Sequence, residues 1–265
     1  MVDFKQKKSY TVQDLVEIMR LLRSPGGCPW DAEQTHESIK KNLIEETYEV
    51  IEAINKKDNE LLCEELGDLL MQVVFHAQME SENGSFDFDA VADGVCKKLV
   101  ERHPHVFGEV VISGVDDVLT NWDAIKRKTK GQKNTTESML SVPRELPALM
   151  RATKLQKKAA DVGFDWNDVS GALDKLEEEI KELRQAVENK DASNMTEELG
   201  DVLFSAVNVS RFIKSDAEEA LTAASDKFLS RFTVVEKLAA ERGIDMRAEN
   251  LEVLDGLWDE AKSKE

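Results

Sequence analysis

Residues 45–68 read EETYEVIEAINKKDNELLCEELGD, and residues 178–201 read EEIKELRQAVENKDASNMTEELGD. In the first stretch Glu46 and Glu49 lie three apart, so on a helix they project from one face. Glu65 and Asp68 repeat that spacing. Between the two pairs lies a polar turn, Asn55-Lys56-Lys57-Asp58-Asn59. The simplest geometry is two antiparallel helices whose acidic pairs face each other. Four carboxylates meeting between helices repel one another, and cations make such a site tolerable. Donors that are all oxygen favour Mg²⁺ or Mn²⁺ over zinc.

The second stretch repeats the acids at a fixed interval. Glu45, Glu46, Glu49, Glu64, Glu65 and Asp68 each find an acid 133 residues on, at Glu178, Glu179, Glu182, Glu197, Glu198 and Asp201. Acids make up 53 of 265 residues, one in five. Six coincidences at one offset therefore have a chance probability of about 0.2 to the sixth power. An isolated EExxE run is more often a solvated helix face. The repeated pair, with EELGD intact both times, is a duplicated site.

Working outward, the duplication divides the chain. We expect a first helical domain over 1–130, a linker over 131–146 and a second helical domain over 147–265. Residues 129–143 (TKGQKNTTESMLSVP) have linker composition. Before the first acid helix, residues 11–23 show a helical period, and Cys28-Pro29-Trp30-Asp31 reads as a loop. Thr35 is placed to cap the first acid helix, and a longer helix is expected over about 59–80, with Leu61, Leu62, Leu66, Leu69, Leu70, Val73 and Val74 as core. Asp87 or Asp89 starts the next helix and Pro104 stops it. A short helix is expected around 119–130. Pro147–Ala160 opens the second half, followed by helices over about 170–189, 195–214, 216–242 and 250–262. Val110-Val111-Ile112 is the only convincing strand-like triplet. The expected fold is all-α, two tandem helical bundles with no substantial sheet.

Composition excludes several partners. A net charge of −18 argues against a nucleic-acid polymer or an anionic membrane. A phosphate-bearing small molecule stays compatible if metal ions neutralise the site. The N-terminal MVDFKQKKSY has no apolar core and is not expected to be a signal peptide. No stretch approaches a membrane span. Cys28, Cys63 and Cys96 lack metal-ligand spacing and read as reduced thiols of a cytoplasmic protein.

The paired ExxE and ExxD acids, the CPWD loop, the RHPHVFG segment at 102–108 and the tandem copies together resemble the MazG family, the nucleoside triphosphate pyrophosphohydrolases of bacteria. The resemblance runs from about residue 14 to 262. It implies an all-α, usually dimeric enzyme that hydrolyses nucleoside triphosphates, ATP among them, between the α and β phosphates with Mg²⁺. Carried over by position, Glu179, Glu182, Glu198 and Asp201 are the expected metal ligands of the second half, matched by Glu46, Glu49, Glu65 and Asp68 in the first. Glu178 or Glu197 is expected to orient the attacking water, and the sequence does not choose between them. Lys175, Lys227, Arg231, Trp258 and Lys262 are the expected nucleotide contacts, with Lys98, Arg102, Trp122 and Lys126 as first-half counterparts. Exposed helix surface is the alternative for each Lys/Arg pair, and a place in the core is the alternative for Trp122 and Trp258. Trp30 and Trp166 each precede an acid helix and are expected in the core, with a place in the pocket wall as the alternative. The histidines read as secondary to the chemistry, and His103 and His105, which flank Pro104 and lack further zinc ligands, read as loop structure.

The chemistry fits that resemblance. Metal ions held by carboxylates can activate water and neutralise phosphate oxygens together. Two other classes compete. A di-iron bundle wants ExxH pairs on two helices, and only Glu33-Gln34-Thr35-His36 fits. A non-enzymatic or regulatory scaffold with degenerate nucleotide-binding repeats would keep the helices and lose turnover. A homodimer is expected, because apolar flanks such as Leu69, Val73, Leu203 and Val207 need covering. Activity is expected mainly in the second half.

Overall fold

The structure, a computed structural model, describes residue 2, residues 4–109, residue 114 and residues 132–264. The chain divides into two compact units, Met1–Lys126 and Arg127–Glu265. All regular structure among the described residues is helical, as the periodicity predicts. The Val110–Ile112 triplet and the helix expected around 119–130 lie outside the described residues, as do Trp122 and Lys126.

In the first unit, α1 (Val12–Arg23) starts in a capping box between Thr11 and Asp14. The α2 helix (Pro29–Glu33) occupies the segment expected to be a loop. Pro29 permits this, because at the first helical position its missing N–H costs nothing. Next comes α3 (His36–Lys56), capped by Thr35, and then α4 (Asn59–Glu82), capped by Asp58. The unit continues with α5 (Phe88–Arg102), capped by Asp87, and α6 (Pro104–Phe107). In the second unit, α7 (Thr135–Leu140) is capped by Asn134 and lies inside the stretch expected to be a linker. Ser138 is buried and takes a hydrogen bond from Lys158, so this helix packs on the unit. The unit is completed by α8 (Ala148–Ala160), α9 (Val169–Asn189), α10 (Ala192–Phe212), α11 (Ala217–Arg242) and α12 (Leu251–Lys262).

The 133-residue repeat is a repeat of structure. The α3–α4 and α9–α10 pairs are each packed hairpins. Lys57 closes α3 in the left-handed region at φ 56°, and Lys190 closes α9 at the same φ. The next residue in each case, Asp58 or Asp191, accepts two backbone N–H groups at the start of the second helix. The Asp side chain thereby satisfies orphan donors that would oppose so tight a turn. Ala53 and Ala186 are fully buried where each hairpin closes, and Val74 and Val207 are each 1% exposed. Only small side chains let two helix backbones approach this closely.

The first core gathers Met19, Ile39, Val74, Phe75 and Met79. The second gathers Val235, Leu238, Ala239, Leu257 and Ala261. Several apolar residues lie elsewhere than expected. Leu66, read as core, is exposed, and so is Val73, read both as core and as an apolar flank; seven apart, they share one face of α4, two turns along, while Val74, Phe75 and Met79 take the inner face. Val207, read as an exposed flank, is buried at the equivalent of Val74. Trp30 is 60% exposed and Trp166 41% exposed, so neither is a core residue. Trp166 instead lies across the first turn of α9, where a Cβ on Gly171 would come within 2.2 Å of its ring.

Candidate active site

The hairpins bring the acids together. Carboxylate oxygens of Glu46, Glu49 and Glu65 lie within 4.8 Å of one another, and those of Glu179, Glu182 and Glu198 do the same. In each set two acids come from the first helix, three residues apart, and the third from the second helix, as the spacing predicts. Asp68 and Asp201 stand beside these trios: the charge of Asp68 acts on Glu46 and that of Asp201 on Glu198.

The electrostatics record the crowding. Burial, and after it the charge of Asp68, pushes the Glu46 carboxyl up. Burial and then Glu49 do so to Glu65. In the second trio, burial and then Glu179 raise Glu182, and burial and then Glu182 raise Glu198. Carboxylates that resist ionising beside one another are relieved by a cation. The donor set is entirely oxygen, which suits a hard divalent ion such as Mg²⁺ or Mn²⁺. The residues therefore fit the group that the acid pattern implies.

The two sites differ around this shared frame. In the second, Lys175 Nζ lies 2.8 Å from Glu178 Oε1 and 2.7 Å from Glu179 Oε1. These bonds, the one to Glu178 first, hold the lysine above its ordinary range. Glu179 is 5% exposed, so this cation sits against the most buried acid of the trio. The position 133 residues earlier is Asn42, and among the described residues no lysine is paired with the first trio. There, buried Gln72 donates from Nε2 to Glu46 Oε1 at 3.4 Å. Its counterpart is Ser205, also buried. Gln72 was not singled out from sequence, although a signal existed: it follows Asp68 by four residues and so shares the acids' face.

The remaining expected contacts fall into two groups. Arg231 and Trp258 come together, the guanidinium carbon 5.9 Å from the indole centroid, within reach of a cation–π contact. Phe228 joins them, its ring 5.2 Å from that of Trp258. Lys262 pairs with Asp259 at 2.5 Å, and Lys227 is exposed. These residues belong to α11 and α12, whereas the acids belong to α9 and α10. In the first unit Lys98 is exposed, and Arg102 ends α5 with its Nε buried and unbonded.

Two all-α units, each with a carboxylate trio on a helical hairpin that could hold a metal ion, define the class of protein to be compared. Comparison with known proteins identifies the class. The MazG nucleotide pyrophosphohydrolase domain matches twice, over residues 34–107 and 168–235. The chain is 45% identical over 259 residues to the nucleoside triphosphate pyrophosphohydrolase of Escherichia coli K12, covering 96% of this chain and 98% of that protein. It is 46% identical over 250 residues to the nucleoside triphosphate pyrophosphohydrolase/pyrophosphatase MazG of Thermotoga maritima, covering 94% and 95%. It is 51% identical over 251 residues to protein YabN of Bacillus subtilis, covering 94% of this chain and 51% of that protein. The chain belongs to the MazG family.

Proposed function

We propose that this protein hydrolyses nucleoside triphosphates between the α and β phosphates, releasing a nucleoside monophosphate and pyrophosphate. The observation that carries the reading is the second carboxylate trio, Glu179, Glu182 and Glu198, with Asp201 beside it. These four acids hold Mg²⁺, with Mn²⁺ as the alternative. The bound ion supplies charge neutralisation for the triphosphate and lowers the cost of activating water. Glu178, paired with Lys175, or Glu197 orients the attacking water. Lys175, exchanging its carboxylates for phosphate when substrate arrives, supplies a positive charge that the metal does not. Lys227, Arg231 and Lys262 take further phosphate oxygens, and Trp258 packs near the base or sugar.

The assay is release of products from a mixed nucleoside triphosphate pool with Mg²⁺, run beside a chelated control. The expected products are pyrophosphate and monophosphate in equal amounts. Orthophosphate and diphosphate would place the cut at another bond.

The working unit is a homodimer. The α9–α10 pair exposes Ile180, Val187, Leu199 and Leu203, and α3–α4 exposes Ile54, Leu66 and Val73. Ile54 and Leu66 recur as Val187 and Leu199 at the same 133-residue offset, a repeated apolar stripe of the kind that marks an interface. Light scattering at micromolar concentration is expected to give twice the chain mass of 29.8 kDa; the mass of one chain would sink the proposal. No helix among the described residues is long and apolar enough to cross a membrane. The three cysteines are unpaired, which supports placement in the reducing cytoplasm.

A further inference from the structure

A second ionisable cluster lies on the α3–α4 hairpin, away from its acids. His36 is the first residue of α3, and His76 and Glu80 sit one turn apart on α4. The Nδ1 atoms of His36 and His76 are 2.7 Å apart, and His36 Nε2 lies 2.8 Å from Glu80 Oε1. The two ring centroids are 5.0 Å apart with planes 3° from parallel, so the rings meet edge to edge. A contact this short between ring nitrogens requires one N–H and one lone pair. At its other edge, His76 Nε2 is buried without a hydrogen-bond partner.

The repeat reveals that the hairpin does not need this cluster. The positions 133 residues on are Val169, Val209 and Ile213, three apolar residues in the same fold. Two imidazoles and a carboxylate therefore add something that packing alone does not demand.

We infer that His36, His76 and Glu80 form a pH-sensitive latch, which ties the start of α3 to α4 while the imidazole pair carries at most one extra proton and releases it when both rings are charged. With both rings neutral, His76 donates to His36 and His36 donates to Glu80. One added proton makes His36 a cation that donates at both edges. A second sets N–H against N–H between two cations, and the contact cannot survive.

Burial, and after it the charge of His36, lowers the proton affinity of His76. Glu80 is held below the usual carboxylate range, first by its bond to His36, so its negative charge persists as the histidines titrate. The sign follows from linkage. The unfolded state binds more protons between the ordinary histidine value and the lowered folded value, so stability is lost as pH falls through that window. The neighbouring charges are otherwise engaged. On α1, Arg23 bonds Glu82 and the carbonyls of Asp31 and Gln34, and Arg20 bonds Glu17. On α3, Glu37 pairs with Lys40, and on α5, Asp93 pairs with Lys97. Asp14 of α1 pairs with Lys7, and Asp31 and Glu33 of α2 are the acids that most closely precede His36 in the chain.

The test uses the full chain, whose four histidines make proton NMR titration tractable, together with amide exchange at about pH 7.5 and about pH 5. His36 and His76 are expected to titrate as a coupled pair with one value depressed. After correction for intrinsic rates, exchange in the first two turns of α3 is expected to speed at least tenfold more on acidification than in the first two turns of α9. His36→Val/His76→Val carries valine as the second repeat does, and is expected to lose the excess. Glu80→Gln leaves both rings in place and is expected to move the pair's titration to lower pH. Independent, ordinary titration of the two histidines would overturn the latch. So would an unchanged acid response in the double variant, or a Glu80→Gln titration that does not move.

Discussion

Glu198→Gln and Asp201→Asn, each alone, are expected to cut turnover at least a hundredfold while the metal-free protein melts no lower than the parent. Loss of an outer partner to a metal ligand already costs about 10–100-fold, and these two positions are assigned to the metal itself. The stability half of the expectation comes from the crowding of the trio. Burial and the charge of Glu182 hold the Glu198 carboxyl above its ordinary range. A raised folded value means that the native metal-free state takes up a proton more readily than the unfolded chain. The associated stability is complete below the ordinary carboxylate value and is lost as pH rises through the raised one. Glutamine is neutral throughout, so Glu198→Gln is expected to match or exceed the parent melting temperature at pH 7 in chelator. That difference should shrink as the buffer falls to the carboxylate range. The measurement is a pair of melts at the two pH values alongside turnover with saturating Mg²⁺. Turnover like the parent's in either variant removes the second trio from the mechanism. A large drop in the metal-free melting temperature would mean that the acids hold the fold together rather than strain it.

The helical architecture and the two acid trios were legible in the sequence because both rest on short-range geometry. Three-residue spacing fixes which carboxylates share a helix face, and the polar turn before Asp58 or Asp191 folds the second helix back onto the first. Burial was less legible. Leu66 and Val207 lie on the opposite side from the sequence reading because the inward face of a helix depends on what packs across it, and hydrophobic periodicity alone leaves the phase ambiguous when apolar residues occupy more than one face. Trp30 and Trp166, each preceding an acid helix, read as core, whereas each lies close to a helix start and is exposed. The His36–His76–Glu80 cluster joins side chains 40 and 44 residues apart. Pairing of that kind follows from the register of two helices, which no local spacing encodes.

The last expected result concerns which unit works: Glu65→Gln/Asp68→Asn is expected to keep most of the turnover, and Glu198→Gln/Asp201→Asn to lose nearly all of it. Ligand count does not separate the units, since both hold a trio of the same size with an aspartate beside it. What separates them is the cation supply. The second site has Lys175 against Glu178 and Glu179, where the first has the neutral Asn42. A triphosphate brings more negative charge than the ions held by four carboxylates cancel, so a protein ammonium aimed at the site lowers the barrier in a way an amide cannot. The arginines differ in the same sense. Arg231 lies within the long α11 helix and is set over the Trp258 ring. Arg102 is the last residue of α5, with Pro104 opening the next helix, and a guanidinium at a helix end is less firmly aimed. Small losses of aim cost catalysis steeply. The two double variants should be assayed side by side on several triphosphates at saturating Mg²⁺. If the first pair kills turnover and the second spares it, the assignment is reversed. If each variant halves turnover, both units are active and Lys175 is dispensable to the chemistry.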